Sequence, residues 1–153
     1  MSSKNKPVPT KGLYIAAVTG TPGPSMVSAS SGGQRDGVIL PSLARAVAVY
    51  TTDPYFSPDI RGLRLYINVT VNNGGTLVVK IQSFDQSSQT WADFPLATTG
   101  NITTDVMGTL TVYPGQTETA GVDVSNAFTD MWRVVATVTT ATMTFSIGGE
   151  YLG

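Results

Sequence analysis

The chain has 153 residues, of which 41% are hydrophobic and only 12% charged, and its formal net charge is -1. Histidine and cysteine are both absent, which excludes disulfides, Cys-His pairs, histidine-based zinc sites and the common serine triad. So small a net charge gives little steering towards nucleic acid or an anionic bilayer, and no run reaches the about 18 apolar residues of a membrane-spanning helix.

The length fits one domain with a sizeable core. The charged share is roughly half that of a typical soluble domain, and threonine and serine fill much of the gap, with threonine pairs at 51–52, 98–99, 103–104 and 139–140. Threonine is β-branched and tolerates water, so this composition favours sheet. Two readings follow: a surface β-domain, or a protein whose neutral polar faces lie against other subunits.

Residues 1–40 read as an arm. Met1 to Pro9 carries lysines with no apolar stretch of signal-peptide form behind it, so Sec export is not expected. Lys4, Lys6 and Lys11 form a solvated basic start suited to an acidic patch on a partner. Leu13-Tyr14-Ile15-Ala16-Ala17-Val18 is one possible anchoring strand, folded back on the body or laid over a neighbour. Ser28 to Gly33 has linker composition.

Residues 41–153 are dense in strand signals. Ala44 to Tyr50 alternates loosely and ends in the turn composition Thr51-Thr52-Asp53-Pro54. Leu63, Leu65, Ile67, Val69 and Val71 share one parity, with Arg64, Tyr66, Asn68 and Thr70 on the other. Asn72-Asn73-Gly74-Gly75 then tolerates positive φ, and Leu77, Val79 and Ile81 resume the alternation, which predicts a β-hairpin. A second hairpin is drawn around Asp85 to Gln89, bringing Phe84 towards Trp91, with Phe94 and Leu96 following.

Thr109 to Tyr113 forms a strand stopped by Pro114-Gly115, and Ala120 to Val124 another, with Val122 and Val124 on one face. Trp132, Val134, Ala136 and Val138 alternate with Arg133, Val135, Thr137 and Thr139, and Met143, Phe145 and Ile147 repeat the pattern. Helical turns are expected at most within Pro41 to Ala48 and Ser125 to Met131. The predicted fold is all-β: a β-sandwich or jelly roll of seven to eight strands with an extended N-terminal arm.

Catalysis finds little support. Lys80 stands alone on a polar strand face. Asp85, Asp93, Asp105, Glu118, Asp123, Asp130 and Glu150 lie mostly in or beside turns, where carboxylates bond local backbone. No calcium loop and no phosphate loop is present, so neither metal nor cofactor is expected. Aromatic platforms for sugar are offered by Trp91, Trp132, Tyr50, Tyr55, Tyr66 and Tyr113, although the phase of Trp132 places it in the core.

Leu110-Thr111-Val112-Tyr113-Pro114-Gly115, Trp132-Arg133-Val134-Val135-Ala136 and Phe145-Ser146-Ile147-Gly148 together resemble the capsid decoration, or cement, proteins of tailed bacteriophages. The resemblance covers roughly Arg45 to Leu152, with Thr129-Asp130-Met131 departing from the pattern. It implies a non-catalytic virion component on the outer capsid surface, a homodimer or homotrimer that braces the major capsid protein, with no nucleic-acid or membrane partner. Alternatives are a tail, neck or head-fibre base protein, or a carbohydrate-binding module. The expected contact residues are Lys4, Lys6 and Lys11, the anchors Leu13, Tyr14 and Ile15, the turn-flanking aromatics Tyr55, Phe56 and Trp91, and Arg133 across a sheet face or subunit boundary.

Overall fold

A computed structural model describes residues 36–153 together with the backbone pairing of Tyr14–Ile15. In chain order the strands are β1 (Tyr14–Ile15), β2 (Asp36–Arg45), β3 (Ala48–Thr51), β4 (Tyr55–Phe56), β5 (Gly62–Asn72) and β6 (Thr76–Asp85). They continue with β7 (Thr90–Thr98), β8 (Val106–Val112), β9 (Asp123–Val124), β10 (Met131–Thr139) and β11 (Met143–Leu152). One sheet runs β1-β4-β10-β6-β7, with β3 also paired to β10, and the other runs β2-β11-β5-β8-β9. Pairing is antiparallel except between β8 and β9, which are parallel.

The alternating residues close the two sheets on one core. Leu63, Leu65, Ile67, Leu110, Val112, Phe145 and Ile147 come from one sheet and Leu77, Val79, Ile81, Trp132, Val134, Ala136 and Val138 from the other, all buried. At roughly 1.5–3 kcal/mol for each large apolar side chain buried, this shared core holds the layers together without a disulfide. The fold is all-β as expected, but it carries eleven strands among the described residues rather than seven or eight. The difference lies in two-residue strands such as β4 and β9, too short to leave a periodic signal.

The expected hairpin at Asn72–Gly75 does not form. β5 pairs β11 and β8, whereas β6 pairs β10 and β7, so this turn carries the chain from one sheet to the other. Both strands bury one parity, and stacking them face to face satisfies that pattern as well as pairing them edge to edge would. The Asn72 side chain builds the crossing: its Oδ1 accepts from the amides of Gly74 (2.9 Å) and Gly75 (2.6 Å), and its Nδ2 donates to the Gly75 carbonyl at 3.1 Å. The links β2 to β3 and β10 to β11 also change sheets. Arg45, Asn72 and Met143 lie in one register and Ala48 and Val138 in another, so all three crossings gather at one end.

Three further details depart from the alternation. Val71 is 45% exposed, because a bulge between Val69 and Val71 opposite Phe145 and Thr144 flips its parity. Val122 and Val124 do not share a face: Val124 is buried and Val122 exposed, since residues 119–122 form a turn with Gly121 at φ 75. Pro41 to Arg45 belongs to β2, and residues 36–40, expected in the arm, pair with β11. The register shifts along β2 place Pro41 where the pairing is irregular, in an edge strand, where a missing N–H is tolerated.

Arg45 locks that irregular edge. It is 5% exposed, donates to the carbonyls of Phe145 (2.7 Å), Pro41 (2.7 Å) and Leu43 (3.2 Å), and lies 4.6 Å over the Phe145 ring. Burial lowers its pKa from the ordinary arginine value. Carbonyl oxygens and an aromatic face take the place of a carboxylate partner around this cation.

Candidate contact surface on the six-stranded sheet

The register of β7, β6 and β10 brings two separate sequence signals together. Asp93 pairs with Gln82 and Gln82 with Arg133, forming one row across three strands on the face away from the core. One step along, Trp91 pairs with Phe84, and Met131 with Phe56. Residues two apart on a strand share a face, so Trp91, Phe84, Met131 and Phe56 form an apolar row beside the polar one. All four are half-exposed.

The polar row is ordered from one side to the other. Lys80 Nζ approaches the Asp93 carboxylate at 3.0 Å, and Gln82 Nε2 donates to Asp93 Oδ1 at 3.0 Å. Since the amide nitrogen is committed to Asp93, the amide oxygen of Gln82 faces the other way and accepts from Arg133 Nε at 2.8 Å. The Arg133 guanidinium then lies 4.4 Å over the Trp91 ring, while Phe84 meets that ring edge-on at 5.2 Å and 61°. The hydrogen bonds from Gln82 and from Lys80 hold the Asp93 carboxyl below its ordinary range, and burial lowers the pKa of Arg133.

Of the ten expected contact residues, Phe56, Trp91 and Arg133 meet on this face. Tyr55 does not: it is fully buried and stacks on Trp132 with centroids 4.4 Å apart and planes at 16°. Its place in a two-residue strand after Pro54 hid the inward parity. Burial, with the charge of Asp53 adding to it, pushes its phenol far above the ordinary value. Tyr14 and Ile15 pair through their backbones with Phe56 and Tyr55; Lys4, Lys6, Lys11 and Leu13 lie outside the described residues. Nothing in the sequence marks Phe84, Met131, Gln82 or Asp93 as contacts, although Gln82 shares the polar parity of its strand with Lys80, for which a solvated or interface role is expected.

A cleft of about 420 Å³ is lined by Ile67, Ile102, Val106, Met107, Val122 and glycine backbone among others, and its lining holds no titratable group. Among the described residues no group of three or more acidic side chains gathers to hold a metal ion. The cluster of charged and aromatic side chains on the β7-β6-β10 face is open sheet surface, suited to contact with another surface.

No protein-family model and no curated relative matches the sequence. Among solved structures the chain is similar to the crystal structure of PirA, with a TM-score of 0.44 and 20% identity over 72% of this chain and 93% of that one. It is also similar to a chain in the structure of infectious bursal disease virus Gt strain, with a TM-score of 0.41 and 12% identity over 90% of this chain. The match spans 38% of that longer chain. Both likenesses are distant.

Proposed function

We propose that this chain is a non-catalytic structural protein of a virion, seated on the outer surface of an assembled capsid and bracing its major subunits. The observation that carries the reading is the half-exposed row Trp91, Phe84, Met131 and Phe56 beside an Arg133 stacked on Trp91. Tryptophan and arginine dominate the energetics of protein interfaces because each offers a large contact area with few rotatable bonds or a preorganised fork of donors. The resemblance of Arg45 to Leu152 to capsid decoration proteins supplies the setting. In this reading the protein acts as a homodimer or homotrimer, so that weak contacts repeated over a symmetric shell add up. The basic start at Lys4, Lys6 and Lys11 meets an acidic capsid patch, and the edge strand β1, paired to β4 of the same chain, extends the sheet presented to a neighbour.

The carbohydrate-binding alternative loses ground at Trp91, because the guanidinium of Arg133 lies over the indole ring that a sugar would stack on. Cosedimentation with capsids stripped of the protein tests the proposal. Saturation at a copy number that follows the count of capsid subunits, with loss of binding in Trp91→Ala, is expected. A copy number matching a single vertex would move the protein to a neck or tail position, and binding to neither shells nor tails would overturn the virion reading.

A further inference from the structure

The outer face of β10 presents a cation without a counter-charge. Arg133 uses Nε on the neutral amide oxygen of Gln82 and its π face on Trp91. Among the described residues its two terminal nitrogens make no hydrogen bond. The carboxylate in the same row, Asp93, is already engaged by Lys80 and by Gln82. Burial alone lowers the pKa of Arg133, with no acidic neighbour raising it. A planar guanidinium fixed at Nε and on one face directs its remaining N–H groups outward as a fork, the arrangement that receives a carboxylate through two parallel hydrogen bonds.

The position is uncommon for this molecule. All ten acidic residues lie in residues 36–153, against five of the nine basic ones, so this part of the chain carries a formal charge of -5. The other arginines there are differently used. Arg45 is buried on carbonyls, Arg61 lies over Tyr113, and Arg64 pairs with Glu150 at 3.4 Å. Arg133 thus sits partly desolvated, oriented by a relay from Lys80 through Asp93 and Gln82, on the body's flat apolar row.

We infer that this face docks a protein surface bearing an Asp or Glu carboxylate beside an apolar residue. The carboxylate takes the Arg133 fork, and the apolar residue lies on Phe84 and Met131. Complementary charge is the argument: the fork lacks an anion, and the relay that holds it fixes which edge is open. Gln82 and Asp93 act as positioning residues in this scheme. The inference rests on the contact reading given above and adds the chemistry of the partner.

The test uses the full-length protein with Trp132→Phe, so that Trp91 is the sole tryptophan reporter, titrated with poly-L-glutamate and, separately, with poly-L-glutamine. Poly-L-glutamate is expected to change Trp91 fluorescence in a saturable way and poly-L-glutamine to leave it unchanged. Arg133→Gln should weaken binding at least about tenfold, the equivalent of one charge-assisted hydrogen bond, while Arg133→Lys restores only part. A variant with Lys4, Lys6 and Lys11 all changed to glutamine should bind as the parent does. Equal affinity of Arg133→Gln and parent, or loss of the signal in the lysine variant, would sink the inference. No response to poly-L-glutamate in a folded parent would do the same. Repeating the titration with stripped capsids whose carboxyl groups have been amidated separates the two readings. Parent protein that binds intact and amidated shells equally leaves the capsid role standing and removes the carboxylate.

Discussion

A Cβ added to Gly75 would lie 2.5 Å from the Ala141 carbonyl oxygen and 2.8 Å from Met143 Cγ. Gly75 belongs to the crossing from β5 to β6 and Ala141 to the crossing from β10 to β11, so two links between the sheets touch at one backbone contact. Gly75→Ala is expected to destabilise the fold by about 1–3 kcal/mol, since backbone rather than a flexible side-chain tip must move. Its neighbour Gly74 has open space around it but sits at φ 93, so Gly74→Ala costs about 1 kcal/mol through backbone strain alone. Urea denaturation of both variants checks the order, and a Gly75→Ala midpoint at or above that of Gly74→Ala would contradict it.

The polar bridge inside the core offers a second measurement. Trp132 Nε1 donates to Ser57 Oγ at 2.8 Å, and Ser57 Oγ lies 2.7 Å from the Tyr151 hydroxyl, so one serine links an indole on β10 to a phenol on β11. Ser57→Ala leaves the buried Trp132 N–H without its acceptor and is expected to cost about 1–3 kcal/mol. Trp132→Phe removes the donor, so the double variant should be less destabilised than the sum of the two single ones. Strict additivity in a double-mutant cycle would show that the indole gains its stability from packing alone.

How far this architecture was legible follows from which information is local. The parity of Leu63, Leu65 and Ile67, of Leu77, Val79 and Ile81, and of Trp132, Val134 and Ala136 is written residue by residue, and all nine are buried. Whether consecutive strands pair or stack is not local: Asn72 to Gly75 has the composition of a hairpin and serves a crossing. The hairpin expected at Asp85 to Gln89 does form, since β6 and β7 pair and Phe84 meets Trp91. The meeting of Trp91 with Arg133 was out of reach, because it depends on Gln82 lying between them in a register set by three separated segments. Phe56 and Tyr55 differ only in parity, and a two-residue strand offers no pattern from which to assign it.

The Asp93 relay predicts a definite response to acid. Its carboxyl is held low chiefly by the hydrogen bond from Gln82, then by Lys80. A carboxyl lowered in the folded state contributes stability that is complete above the ordinary carboxylate range and is lost as pH falls through the lowered value. Gln82→Ala and Lys80→Met should therefore each raise the Asp93 midpoint in an NMR titration towards the ordinary range. No rise in Gln82→Ala would mean that the amide does not hold the carboxylate, and would remove with it the orientation assigned to Arg133.

Leu96 carries the last prediction. It lies at φ 63 and is 67% exposed, in the stretch where β7 leaves its register between Asp93 and Thr98 while Phe94 and Ala97 turn inward. A leucine in the left-handed region costs about 1–2 kcal/mol, and a side chain this exposed returns little of that through burial. Leu96→Gly relieves the strain but adds chain entropy to the unfolded state, worth roughly 0.5–1 kcal/mol. The balance is a gain of about 0.5–1 kcal/mol, and Leu96→Asn, which tolerates the same φ, should gain a similar amount. Thermal and urea unfolding of both variants decide the matter: a clear loss of stability in both would mean that the buried third of the leucine outweighs the strain of its backbone.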